Sequence, residues 1–361
     1  MWILEWPRWC GWPRTYPEQL YDINTQWIAD RFEQYLIQLM TVPELCPSLS
    51  DDRFEDIWLE DEVVCLQLGD ELFASPTTAV FEVVSPPDLV VKYQISYSGD
   101  DLFKMIRDAF FADFFSSKQI SVGAIYVSPG VALGNQRSRK TPFPPSGDTD
   151  SNTVRFLVTQ DAGSSLYQWV KAQDAQRLPV NVSVRIVLDL LDMLREMHSS
   201  GVVHGDIHPG NVMMNSPNGG NIRLIDFERT LLHHELVVKK SNRRFAHCLM
   251  SPWEMEGWAY SYRDDVFRAL IVAAYLIGGT EWLSHCRAME QNGDNPSMHE
   301  WMKQGSIFDI PNKFSLTVSD QVRSQLEDAL QIAREPYHPL AIPRYDEISR
   351  TLNTILTVGL L

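Results

Sequence analysis

Apolar residues recur near helical spacing over residues 18–40. Leu20, Ile23, Trp27, Ile28, Phe32, Tyr35, Leu36 and Leu39 share one face, which predicts an amphipathic helix packed against something larger. Prolines and acids in VPELCPSLSDDRFED break that pattern, so residues 1–60 read as an N-terminal helical extension. From residue 61 the period shortens. EVVCLQLG, AVFEVV and DLVVKYQIS are short apolar runs separated by ASPTT and SPPD, both turn-forming, and predict a three-strand antiparallel meander. DDLFKMIRDAFFADFFSSK (100–118) follows as a helix with an aromatic face, and ISVGAIYVS as another strand. Residues 134–152 are polar, Pro-rich and locally basic, which predicts a flexible surface loop. The strand TVRFLVTQ (153–160) restarts order, and beyond it SSLYQWVKAQ, VSVRIVLDLLDMLREMHSS and later segments are helical. The expected class is α+β: a small β-rich lobe with one helix at 61–160 and a larger α-helical lobe at 161–361.

Charge and composition narrow the partners. Of 361 residues, 44% are hydrophobic and 22% charged, the balance of a soluble globular protein. The net charge of −16 should repel nucleic acid and anionic membrane, so neither is an expected partner. Five scattered cysteines (Cys10, Cys46, Cys65, Cys248, Cys286) show neither zinc-type spacing nor a disulfide framework, which suggests reduced thiols in the cytosol or nucleus. The Trp-rich first twenty residues lack the apolar core of a signal peptide. The longest apolar run, ALIVAAYLIGG (269–279), is too short to span a bilayer and suits a buried helix.

The chemistry gathers at VVHGDIHPGNVMM, residues 202–214. Asp206 and Asn211 stand five apart across a Pro209-Gly210 turn, between apolar runs. Twenty residues after Asp206, IRLIDFERT places Asp226 at the end of an apolar strand. Phosphoryl transfer needs a carboxylate to orient or deprotonate the attacking hydroxyl, and oxygen ligands to hold magnesium against the phosphates. These three residues are of the right types. Upstream, Lys92 sits inside LVVKYQ, a strand that would otherwise exclude a charge; it can bind phosphates if a carboxylate from the next helix positions it.

Over roughly residues 61–355 the chain resembles the protein-kinase-like superfamily, and the motifs occur in its order. HGDIHPGN is similar to the catalytic loop, IDFE to the magnesium-binding segment, VVKY to the lysine strand and SPWE (251–254) to the end of an activation segment. RDDVFRAL (263–270) is similar to the helix whose buried aspartate braces the catalytic loop, here Asp265. Some stretches resemble the casein-kinase-one and vaccinia-related-kinase branch; HGDIHPGN with IDFE also resembles the aminoglycoside and choline phosphotransferases. The resemblance implies a bilobal kinase fold, ATP and Mg2+ as cofactors, and a Ser/Thr protein substrate. It implies Asp206 as catalytic base, Asn211 and Asp226 as magnesium ligands, and Lys92 as the phosphate-binding lysine. Asp108 is the helix carboxylate expected to pair with Lys92, with Asp113 as the fallback, and His204 is expected to bond backbone near the magnesium segment.

Departures from the family pattern keep other readings open. ASPTT (74–78) replaces the glycine-rich loop, leaving Ser75 and Thr77 to offer hydroxyls to phosphate. Gly205 replaces an arginine that reads activation-segment phosphate, His208 replaces a lysine, and Glu228 replaces a glycine. A pseudokinase or a small-molecule kinase would tolerate these changes. The 28 residues from Asp226 to Glu254 favour a protein kinase, and the basic cluster from Lys239 to Arg244 suggests docking of an acidic or phosphorylated protein substrate.

Overall fold

The structure, a computed structural model, describes residues 26–41, 54–59, 62–75, 78–96, 99–127, 131–132, 153–215, 221–236, 249–258, 260–291, 295–310, 314–335 and 340–358. A helix α1 (Gln26–Thr41) precedes the strands β1 (Phe54–Leu59), β2 (Glu62–Ala74), β3 (Thr78–Ser85) and β4 (Leu89–Ser96). After α2 (Gly99–Ser116) come β5 (Ala124–Val127), β6 (Val131–Ala132) and β7 (Thr153–Gln160). These form one antiparallel sheet in the order β1-β2-β3-β4-β7-β5, with β6 also on β7. The three-strand meander is thus β2–β4. The sheet, however, begins at Phe54, inside the stretch read as extension. Glu55 and Asp56 hide that strand in the sequence, yet its register with β2 runs unbroken from Phe54↔Gln67 to Leu59↔Glu62. It lies at the sheet edge, where charged residues are tolerated. The loop expected at 134–152 lies outside the described residues.

Strand alternation gives the sheet two covered faces. Val91 and Tyr93 of β4 pack with Leu66, Val83, Phe156 and Val158. The opposite face takes Leu157, which lies across from Lys92, and packs it with Met105 and Ala109 of α2. The period-2 rule therefore turns Lys92 toward α2. On its other side α2 receives α1: Trp27 meets Phe114 at 5.5 Å, Phe32 meets Phe110 at 5.1 Å, and Ile28 is fully buried.

The second lobe is helical. Short strand β8 (Ser164–Ser165) leads into α3 (Leu166–Ala172) and α4 (Val180–Ser199), then β9 (Val202–Val203), β10 (Val212–Met214), β11 (Ile222–Leu224) and β12 (Leu231–Leu232). Helices α5 (Pro252–Met255), α6 (Tyr262–Gln291), α7 (Asn295–Gln304), α8 (Asp320–Arg334) and α9 (Tyr345–Val358) complete it. Residues Tyr262–Met289 are long and apolar enough to cross a membrane, but 89% of their most apolar window is buried in the lobe. The helix also breaks its path at Gly279 (φ 69°), where a Cβ would come within 2.1 Å of the Gln176 carbonyl oxygen.

Candidate active site

Lys92 is where the two lobes meet. Its Nζ lies 2.9 Å from Asp108 Oδ2 and 2.7 Å from Asp226 Oδ1. Asp108 uses its other oxygen to accept the Phe227 amide at 2.7 Å, so one carboxylate holds both the lysine and the segment after Asp226. Asp113, the fallback partner, is exposed. Burial pulls the Lys92 ammonium down, but Asp108, Asp226 and Glu228 outweigh it and hold the group well above its ordinary pKa. Burial pushes Asp226 up, yet Lys92 more than offsets this and keeps it ionised below its ordinary value. For Asp108 burial prevails over Lys92, and its pKa is raised.

A hairpin presents the polar residues of the lower lobe. Val212 of β10 pairs with Leu224 of β11, and Ile225 N–H donates to the Asn211 carbonyl at 3.1 Å. Asn211 therefore faces Ile225 across the ladder, next to Asp226. Asn211 Nδ2 donates to the Asp206 carbonyl at 3.0 Å, which fixes the amide and leaves Oδ1 as its acceptor end. Asp226 has left-handed backbone (φ 67°, ψ 65°), uncommon for a residue with a Cβ. Its carboxylate and the Asn211 Oδ1 suit the oxygen-ligand chemistry of a magnesium ion that also takes phosphate oxygens.

The loop between β9 and β10 hangs from Asp265. This fully buried carboxylate accepts from His204 N (2.8 Å), Gly205 N (3.2 Å), Tyr260 OH (2.6 Å) and His198 Nε2 (3.0 Å). Burial pushes Asp265 up, but these bonds, led by His198, hold it below its ordinary pKa. His198 stays neutral because burial lowers it, and its Nδ1 accepts from Tyr345 OH at 2.6 Å.

Asp206 sits between two arginines. Arg268 Nη1 is 3.2 Å from Oδ1, and Arg229 Nε is 3.5 Å from Oδ2. Glu228, beside Asp226, is lifted to about 6 by burial and then by the Asp226 charge.

Several expected contacts fall elsewhere. His204 accepts the Asp206 amide at Nδ1 (3.2 Å) and packs on Phe227 at 4.9 Å, while its buried Nε2 has no partner among the described residues. It thus braces its own loop instead of bonding the segment after β11. His208 is lowered by burial and accepts the Gly210 amide at 3.0 Å, so it is neutral near pH 7. Ser75 spends its hydroxyl inside the β2–β3 turn, accepting from Thr78 N at 3.0 Å and donating to Thr78 O at 3.3 Å, which argues against a phosphate contact. Thr77 and the Lys239–Arg244 cluster lie outside the described residues. The sequence reading missed Arg268, Arg229 and the second role of Asp108. The available signal for Arg268 was a lone cation inside the apolar run VFRALIVAAYLIGG.

Comparison with known proteins agrees with this fold. A family model of the protein kinase domain matches residues 149–336, just over half of the 361 residues. Serine/threonine-protein kinase ppk5 of Schizosaccharomyces pombe is 26% identical over 154 residues, 40% of this chain and 18% of the relative. Nucleosomal histone kinase 1 of Drosophila melanogaster is 35% identical over 84 residues, 23% of this chain and 14% of the relative. The chain thus spans less than a fifth of the length of either. The solved structure of vaccinia related kinase 3 superposes with a TM-score of 0.61 at 13% identity, covering 92% of this chain and 97% of the other, a likeness of fold.

Proposed function

The chain belongs to the protein kinase domain family, and from that premise we propose that it transfers the γ-phosphoryl group of ATP to a Ser or Thr hydroxyl of a protein. The observation that carries this reading is Lys92, whose Nζ meets both Asp108 (2.9 Å) and Asp226 (2.7 Å), so that both lobes contribute to one phosphate-binding constellation. Lys92 would bind the α- and β-phosphates, and Asn211 and Asp226 would hold Mg2+. Bound Mg2+ would offset the negative charge on the phosphate oxygens. Among the described residues no group of three or more His, Cys, Asp or Glu is disposed to hold a metal. That suits an ion completed by the nucleotide.

Asp206 would orient the acceptor hydroxyl and take its proton as the oxygen–phosphorus bond forms and the bond to ADP breaks. The basic cluster from Lys239 to Arg244 would meet acidic or phosphorylated residues of the substrate. Incubation with Mg2+, γ-labelled ATP, casein and an acidic peptide, beside Asp206→Asn, tests this. Label on protein that vanishes in the variant is expected. ATP binding with no transfer to protein would point to a small-molecule acceptor.

A second reading, a kinase-shaped binding module without transfer, draws on two observations. Both Asp206 oxygens face guanidinium groups, and Ser75 is spent within its turn. Folded protein that neither binds Mg-ATP nor labels any acceptor would favour it.

A further inference from the structure

Arg268 occupies a place that charge balance alone does not explain. It lies on α6 in an otherwise apolar run, and its side chain is only 2% exposed. Nε and Nη2 grip the two oxygens of Glu254, each at 2.9 Å, in a side-on fork. Nη1 reaches the other way, to Asp206 Oδ1 at 3.2 Å. Glu254 is itself fixed. Its Oε2 also accepts the Ser251 amide at 3.0 Å, its own amide donates to Ser251 Oγ at 3.2 Å, and Ser251 Oγ bonds Asp264. The face of Tyr260 backs the guanidinium at 5.2 Å. Burial pulls Arg268 down, but Glu254, Tyr260 and Asp206 outweigh that and keep it charged.

The contrast with Arg229 shows which contact is permanent. Arg229 is 28% exposed, approaches Asp206 at 3.5 Å, and also lies 3.9 Å from Glu228. The Arg229 contact is the longer and more exposed of the two, whereas the Glu254 fork locks Arg268 on Oδ1. We propose that Arg268 is the positioning residue for Asp206, transmitting the placement of the Ser251–Glu254 corner directly to the carboxylate that takes the hydroxyl proton. The role rests on the phosphoryl-transfer reading above. It needs arginine in particular, because one planar group donates from two edges at once, which a lysine ammonium cannot reproduce. It also lets an ordered segment end set Asp206 where Gly205 leaves the loop without an arginine.

The test uses the full chain with Arg268→Met, Arg268→Lys and Glu254→Gln. Both Arg268 variants should lower kcat about a hundredfold with KM for ATP unchanged, since the carboxylate is displaced and the nucleotide contacts are not. Glu254→Gln keeps the cation but weakens its anchor, and should lower kcat in the same direction; it serves as the decisive variant if Arg268→Met fails to fold. Wild-type kcat in a folded Arg268→Met or Arg268→Lys, or in Glu254→Gln where Arg268→Met does not fold, would overturn the proposal. A denaturant double-mutant cycle of Asp206→Asn with Arg268→Lys reads the contact without catalysis. Non-additive stability is expected, and strict additivity would overturn the assignment. If the wild type transfers no phosphate, the phosphoryl-transfer reading fails on its own, and the cycle still decides whether Arg268 fixes Asp206.

Discussion

Lys92 and Asp108 meet at 2.9 Å although the helix carboxylate is an aspartate, one methylene shorter than the family's glutamate. The distance closes because α2 docks tightly on the sheet: Met105 and Ala109 pack with Leu157, the residue across from Lys92. Asp108→Ala should therefore cost about 1–3 kcal/mol, because it leaves the buried Phe227 amide unsatisfied and Lys92 with Asp226 alone. Asp108→Glu should not restore a better pair. The added methylene must fit a closed interface and should cost about 1–3 kcal/mol. Urea denaturation of the two variants at pH 7 checks both, and a stabilised Asp108→Glu would refute the close docking of α2.

Glu228 gives the fold a pH signature. Folding lifts its carboxyl from 4.5 to about 6, through burial first and the Asp226 charge second. The unfolded chain therefore loses this proton earlier as pH rises. The neutral form favours the fold fully below pH 4.5, and that advantage is lost as pH climbs to about 6. The loss attributable to this group is about 2 kcal/mol. Asp264, raised to about 6 by burial and Glu254, acts with the same sign in a similar window. Glu228→Gln should remove only its own share, becoming more stable than wild type at pH 7 and matching it near pH 4. A stability difference that does not vary with pH would rule out the assigned shift.

Gly205 cannot be returned to arginine without cost. Its φ is +82°, and a Cβ there would stand 2.4 Å from the Arg229 carbonyl oxygen. Both Gly205→Ala and Gly205→Arg should lose about 3 kcal/mol from backbone strain, with the clash adding to it. Neither should gain sensitivity to phosphorylation, because the loop would have to move off Asp265 to make room. Thermal melts of the two variants, which should be similar despite their different side chains, test this.

The sequence was most legible where a residue type is costly in its local setting. A lysine inside LVVKYQ and the Asp206–Asn211 pair between apolar runs both stand out as candidates, and period 2 in β4 turns Lys92 toward the helix that supplies Asp108. The hairpin β10–β11 needed only two apolar runs to bring Asn211 beside Ile225. Partners chosen by tertiary packing were not legible. Arg268 meets Glu254 and Asp206 because α6 passes beneath both, and nothing local states which carboxylates a buried cation will find. His204, expected to bond backbone near the magnesium segment, accepts the Asp206 amide instead, a choice that only the packed loop makes. β1 was hidden because edge strands admit acids.

Hydrogen bonds tie the C-terminal helix α9 to the loop between β9 and β10. Tyr345, at the start of α9, donates to His198 Nδ1 at 2.6 Å, and His198 Nε2 donates to Asp265 at 3.0 Å. Asp265 in turn holds the amides of His204 and Gly205. Tyr345→Phe keeps the ring and removes the donor, leaving a buried imidazole nitrogen unsatisfied, at about 1–3 kcal/mol. The His198 ring would no longer be held from both sides, so Asp265 should lose alignment and the His204 and Gly205 amides should exchange with deuterium faster than in wild type. His198 is held neutral by burial, so its contribution is complete above about pH 6.5 and falls as pH drops through its lowered folded value; the exchange comparison therefore belongs at pH 7 or above. Loss of stability with exchange at those two amides unchanged would mean that the influence of α9 ends at His198 and does not reach Asp206.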